Sequence, residues 1–290
     1  MPEPRTLPRP GTVGRTGPDQ EVSMSATPTY DSALTIPARY CGPASSGNGG
    51  YTAGTLAERV RAETGCPVVE VTLRQPPPLD VAMTVQHLPA DEPTNVTGAS
   101  VTRLLLGGST IAEATCVDLD VVAVEAVSLA EATEASAGYP GLRSHPFPTC
   151  FACGPERGDG DGLRIFPGPV GNGAGHGRVA APWIPPPALA ERSDLLDEGV
   201  QLVGLGVTWA ALDCVGGWAG DMDERAMVLG RMTAQVDALP VVGEQHVVVG
   251  AARGREGRKT FTASTLYDSD GRIVARAQHV WVAVDPSTFR

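Results

Sequence analysis

Residues 197–219 read DEGVQLVGLGVTWAALDCVGGWA. The spacing predicts one long helix, and its second part is apolar on nearly every side. Trp209, Ala210, Leu212, Val215 and Trp218 leave no polar stripe of the kind a surface helix presents to water. Such a helix must be wrapped by other elements. One residue breaks the pattern: Asp213 is a poor mid-helix residue, and aspartate is almost never fully buried unless paired. A carboxylate held there is either a satisfied structural group or a working acid or base.

Four strand-like runs follow this helix: AMVLGRMTAQVDAL (226–239), EQHVVVGAAR (244–253), RKTFTASTLYD (258–268) and RIVARAQHVWVAVD (272–285). They are partly alternating and rich in β-branched residues, and Asp268-Ser269-Asp270-Gly271 reads as a hairpin turn. GLRIFPG (162–168) and GRVAAPWIP (177–185) precede the helix as strands, and PPPALAERSDLL (185–196) as a proline-started connection.

The N-terminal half repeats the order. SALTIP (32–37) is a short strand, CGPASSGNGG (41–50) a Gly/Ser loop, and YTAGTLAERVRAETG (51–65) a helix that buries Leu56 and Val60 and closes on Gly65. PVVEVTLR (67–74), DVAMTVQHL (80–88), ASVTRLLLG (99–107) and TIAEATCVDLDVVAV (110–124) are the strands after it. Ala112-Glu113-Ala114 matches Ala275-Arg276-Ala277 near the end of each half, and PPPLDVAMTVQ matches ALPVVGEQHVVV. Chance likeness between two amphipathic sheets is the plainer alternative, but element order, spacing and end motifs all agree with an internal repeat. The expected division is a disordered tail (1–30), a first half (31–130), a linker (131–161) and a second half (162–290).

The net charge of −11 argues against a nucleic-acid binder and against adsorption to anionic membranes, while a local basic patch could still hold phosphates. No stretch has the ~20 apolar residues that a membrane-spanning helix needs, and the N-terminus has arginines but no apolar core of a secretory signal. Six cysteines in 290 residues are too sparse for a disulfide scaffold, so reduced thiols and a cytoplasmic address are expected.

One helix followed by an antiparallel sheet, twice over, resembles the hotdog fold of the thioesterase superfamily, here as an α+β double hotdog with an internal pseudo-dimer. The likeness runs from about residue 31 to the C-terminus and is specific at two places. Ser45-Ser46-Gly47-Asn48-Gly49-Gly50 is similar to the His-Gly-Gly opening of hotdog thioesterases, with Asn48 in place of histidine. Glycines let a ligand approach the backbone, and free N–H groups at a helix start can stabilise a developing oxyanion. A flexible loop with an Asn N-cap is the simpler reading. Asp213 is the second place, because the resembled enzymes carry an acid nine positions after that histidine, as general base or nucleophile.

Neither half has both parts. Nine positions after Asn48 stands Ala57, with Glu58 one further on; nine before Asp213 stands Gly204. In the resembled family the acid and the glycines of one site come from opposite protomers. The resemblance therefore implies one composite site, Asn48-Gly49-Gly50 facing Asp213 with Ser46 and Gly47 against the substrate, and one decayed site. It implies hydrolysis of an acyl-CoA or acyl-carrier thioester, no cofactor, and allows homo-oligomers of pseudo-dimers. The rivals are a non-catalytic acyl-binding module and a hotdog dehydratase or hydratase. The latter needs a histidine in an Asp-x4-His spacing, which none of His87, His145, His176, His246 and His279 satisfies.

Arg253, Arg255, Arg258 and Lys259, the last being the chain's only lysine, cluster on one hairpin. They are candidates for CoA phosphates, or else a solvated tip. Cys150 and Cys153 with His145 suggest zinc, but a second cysteine pair is missing. The expectation is no metal and an ordered linker with buried thiols. His279 and Gln278 alternate on the last strand, so one of them faces inward.

Overall fold

Asn48 starts the first helix by accepting the Tyr51 amide on its side chain, and Gly65 ends it at φ 68°, a conformation open to glycine at no steric cost. In the computed structural model this helix, α1, spans Gly49–Thr64. The structure describes residues 1, 29–92, 95, 98–171, 177–192 and 199–289. Most of the expected tail (1–30) and His176 lie outside them.

In the first half β1 (Thr29–Leu34) precedes α1, and β2 (Val68–Leu73), β3 (Met83–Leu88), β4 (Val101–Leu106) and β5 (Ser109–Cys116) follow it. A connection carrying α2 (Leu129–Ala137) leads to β6 (Gly168–Pro169) and β7 (Arg178–Trp183), with a small β8 (Ala190–Arg192)/β9 (Leu202–Val203) hairpin beside them. Then come α3 (Leu205–Ala219), β10 (Met227–Val236), β11 (His246–Glu256), β12 (Lys259–Tyr267) and β13 (Ile273–Ala283).

Eleven strands form one continuous sheet in the order β1-β3-β4-β5-β2-β10-β13-β12-β11-β7-β6. The first five and the next five mirror one another about the β2–β10 seam, so β1 corresponds to β7, β2 to β10, β3 to β11, β4 to β12 and β5 to β13. The antiparallel pairing within each half and across the seam is that of two fused hotdog units. At the seam Val71 stands opposite Met232, and Glu70 pairs with Arg231 at 3.3 Å and accepts from the Thr233 hydroxyl at 3.0 Å. The matched pair Ala112–Ala114 and Ala275–Ala277 occupies the corresponding strands β5 and β13.

Both helices lie on the same side of the sheet and against each other. α3 is buried at every one of its residues. Two glycines of α1 make the approach possible: a Cβ on Gly50 would stand 2.5 Å from the Asp213 Cβ, and one on Gly54 2.7 Å from the Trp209 Cβ and 2.9 Å from the Gly206 Cα. The order of these contacts, Gly50 on Asp213 and Gly54 on Trp209 and Gly206, shows the helices running antiparallel.

Five expectations need correction. GLRIFPG (162–168) is a strand only at Gly168, where β6 begins. The second helix begins at Leu205 rather than near Asp197, because Leu202–Val203 pairs with β8 and Gly204 is the N-cap. The run 110–124 is a strand only to Cys116; beyond it the chain crosses the back of the second half, where the Val124 amide donates to Thr265 and Tyr267 donates to the Val124 carbonyl. α2, which the sequence reading left inside the linker, packs there with Val124, Ala180, Val247 and Ala263 as a second small core. Finally, Cys66 and Cys116 form a disulfide, so not all thiols are reduced. β2 and β5 are neighbours, and their ends bring the two Cα atoms to 6.0 Å, within bridging reach.

Candidate active site

The loop before α1 is tightly held. Gly42 N–H donates to the Ser46 carbonyl at 2.9 Å, Gly47 N–H to Pro77 at 2.8 Å and Asn48 N–H to Tyr40 at 2.7 Å. Its backbone donors are therefore spent on structure, and Asn48 is fixed with only 2% of its surface exposed. The Asn48 side chain then does two things. Its Oδ1 caps α1 by accepting from Tyr51 at 2.8 Å, and its Nδ2 donates to Asp213 Oδ2 at 3.0 Å.

Asp213 and the Asn48–Gly50 corner, from opposite halves, are thus in direct contact rather than across an open cleft. The Gly50 amide also donates to Asp213 Oδ2, at 2.9 Å. The pair of donors satisfies one carboxylate oxygen, while Oδ1 is buried without a partner. Burial pushes the Asp213 pKa up to about 7, against the lowering by the Gly50 and Asn48 donors.

The contact changes the part played by one glycine. The Gly50 amide is occupied by Asp213, which leaves the Gly49 N–H as the first-turn amide without an acceptor among the described residues. Gly49, Ser46, Gly47, Asn48 and Asp213 all line one cavity of about 360 Å³. Leu73, Met227, Leu229, Trp281 and Val282 supply much of its apolar wall. Glu58, the reserve acid, is exposed and lines a different depression together with Gly204.

The basic hairpin divides. Lys259 stands opposite Val282 in register, and Arg258 donates to the Ala283 carbonyl at 3.0 Å, beside Val282 and Val284 of the cavity wall. Arg253 instead lines a separate cavity on the sheet with Gln278 and His279. Arg255 is exposed on β11. His279 is the inward member of its pair: it is buried, bonded to Thr262, and held neutral by desolvation with its pKa down to about 3. A Cβ on Gly216 of α3 would meet it at 2.6 Å, which marks it as a packing residue under that helix.

The sequence analysis names His145, Cys150 and Cys153 but neither joins Cys214 to them nor places them at this site, where the four form the opposite wall. His145, Cys150, Cys153 and Cys214 all line the same cavity. Cys150 and Cys153 come from one turn of the connecting segment, and Cys214 follows Asp213 on α3. The three sulfurs lie within 4.8 Å of one another, with Cys150 and Cys214 at 3.6 Å. Thiol hydrogen bonds from Cys153 and Cys214 hold Cys150 well below the usual thiol range. Cys153 is pushed up, mainly by burial, and Cys214 first by its bond to Cys150. The available signal was a third cysteine beside the singled-out aspartate, distant in sequence from the Cys-x-x-Cys pair.

No protein-family model matches the sequence, and no curated protein is detectably similar to it. Solved structures are similar in fold. A putative thioesterase from Novosphingobium aromaticivorans aligns over 87% of this chain and 95% of its own, with a TM-score of 0.54 at 12% identity. The tesB protein of Mycobacterium avium subspecies paratuberculosis covers 89% and 93%, with a TM-score of 0.53 at 12% identity. A putative thioesterase II from Thermobifida fusca covers 87% and 92%, with a TM-score of 0.51 at 16% identity. Each alignment takes in close to nine tenths of this chain, so this protein has the double-hotdog fold in common with these structures.

Proposed function

We propose that this protein hydrolyses an acyl thioester at the composite site between its halves, with Asp213 as general base. The observation that carries the reading is the buried Asp213 carboxylate, one oxygen held by Asn48 and Gly50 of the other half and the other unpartnered, at the wall of an apolar cavity. A base with a pKa near 7 suits proton transfer at neutral pH. Asp213 Oδ1 takes a proton from water as its oxygen bonds to the thioester carbon. The carbonyl electron pair moves onto the oxygen, which faces the Gly49 N–H. Collapse breaks the C–S bond, and the departing thiolate takes the proton back from Asp213.

The acyl chain occupies the apolar cavity, and the phosphates of CoA or of an acyl carrier lie toward Arg258 and Lys259 at its rim. Ser46 and Gly47 line the entrance, and Arg255 extends the basic tip. The chain divides functionally as 31–130 and 162–290, joined by 131–161, and pseudo-dimers associate further into homo-oligomers. No described helix is long and apolar enough to cross a membrane. The cytoplasmic address expected from the sequence sits poorly with the Cys66–Cys116 disulfide, since such bonds are rare in reducing compartments.

Release of free CoA across a panel of acyl-CoA chain lengths, with binding of each measured in parallel, tests this reading. Turnover of at least one chain length is expected. Saturable acyl-CoA binding with no CoA release at any length would make the protein a binding module instead.

A further inference from the structure

We infer that Cys150, Cys153 and Cys214 form a binding site for one zinc ion, with an open coordination position toward the cavity. The Cys150-x-x-Cys153 spacing is that of one zinc-ligand pair, and the fold delivers the third thiol from α3, sixty-four residues from Cys150. A tetrahedral zinc with Zn–S bonds of about 2.3 Å sets sulfur–sulfur edges of about 3.8 Å. The observed Cys150–Cys214 separation is 3.6 Å and all three sulfurs fall within 4.8 Å of one another, so shifts of a few tenths of an ångström to about one complete the geometry.

The surroundings are those of a thiolate centre. N–H groups are aimed at the sulfurs: Asn48 Nδ2 lies 3.8 Å from Cys150 and 3.9 Å from Cys214, and His145 Nε2 lies 3.3 Å from Cys153. His145 is a supporting donor and not the fourth ligand. Its Nδ1 accepts the Phe147 amide at 2.9 Å, which places the ring proton on Nε2. Cys41 is not a ligand either, since its thiol bonds to the Thr149 carbonyl and Arg157. Three ligands leave one position for water or an exchangeable group, the arrangement of open rather than structural zinc sites. A bound zinc ion would offset the charge of the buried thiolates that ligate it, and soft sulfur donors select a thiophilic ion.

Metal content decides the matter without reference to hydrolysis. Full-length protein purified under reducing conditions is offered one equivalent of zinc and then desalted. The expected result is about one zinc retained per chain, reduced to near none in Cys153→Ser and in Cys214→Ser, while Cys41→Ser retains it. Cobalt in place of zinc should give thiolate-to-metal charge-transfer absorption in the wild type, a readout that does not depend on the variants folding. Failure of the wild type to retain zinc, retention unaffected by both serine variants, or a Cys150–Cys214 disulfide in the reduced preparation would each overturn the site.

Discussion

Asp213 owes its character to two opposed effects on one carboxylate. Burial disfavours its charge, and two N–H donors from the other half favour it; burial wins, and the pKa sits at about 7. Because the folded value is raised above that of the unfolded chain, the contribution to stability is full below pH ~4 and is lost as pH rises through about 7. Asp213→Asn escapes that loss. Its unfolding free energy from urea titration, measured in zinc-free protein with chelator present, should gain on the wild type between pH 5 and pH 8, by on the order of 2 kcal/mol. A pH-independent gap would show that Asp213 is not raised. Asn48 serves as cap and as donor, so Asn48→Ala should cost about 1–3 kcal/mol in denaturant unfolding. It should also move the midpoint of any pH–rate profile upward, because a donor that lowers the Asp213 pKa is gone. An unchanged midpoint would leave Asn48 with the cap alone. That Asp213 matters was legible as a polar residue in an apolar helix. That Gly50 would spend its amide on Asp213 was not, because the contact joins residues 163 positions apart.

The helices were legible where local chemistry sets them: Asn48 and Gly65 bound α1, and the apolar run 205–219 is α3. Their mutual approach depends on Gly50, a glycine that the sequence analysis assigns to ligand access, and on Gly54, to which it assigns no role. Gly50 and Gly54 admit α3, and Gly54 is the cleaner test because it lies outside the catalytic corner. Alanine at 54 gains ~1 kcal/mol of helix propensity, but its Cβ would overlap Trp209 and Gly206. Overpacking of this kind costs about 1–3 kcal/mol, so Gly54→Ala should lower the thermal midpoint; an unchanged or higher midpoint would mean that the helices can slide apart freely. α2 was missed although its cap is local, with Ser128 accepting the Glu131 amide. Its mixed Ala/Glu sequence has no strong apolar face, and it is secured by contact with the back of the sheet, which no local pattern reports.

For the molecule as a whole, the internal repeat was readable because helix and strands recur in the same order with the same spacing, and the eleven-stranded sheet joins the two copies at β2 and β10. The asymmetry between the copies was readable too: Asn48 lacks an acid at Ala57, and Asp213 lacks a glycine pair at Gly204. What the sequence could not convey is the third wall of the site, since the segment carrying His145, Cys150 and Cys153 has no periodicity and is placed only by tertiary packing against α3. The proposed hydrolysis rests on Asp213 as the base of a site that neither half contains alone. CoA release from the best acyl-CoA substrate, by wild type and Asp213→Asn at pH 8 with acyl-CoA affinity measured alongside, puts this to the test. The prediction is a fall in kcat of about 10²–10⁴-fold with affinity nearly unchanged, and equal kcat in the two proteins would contradict it.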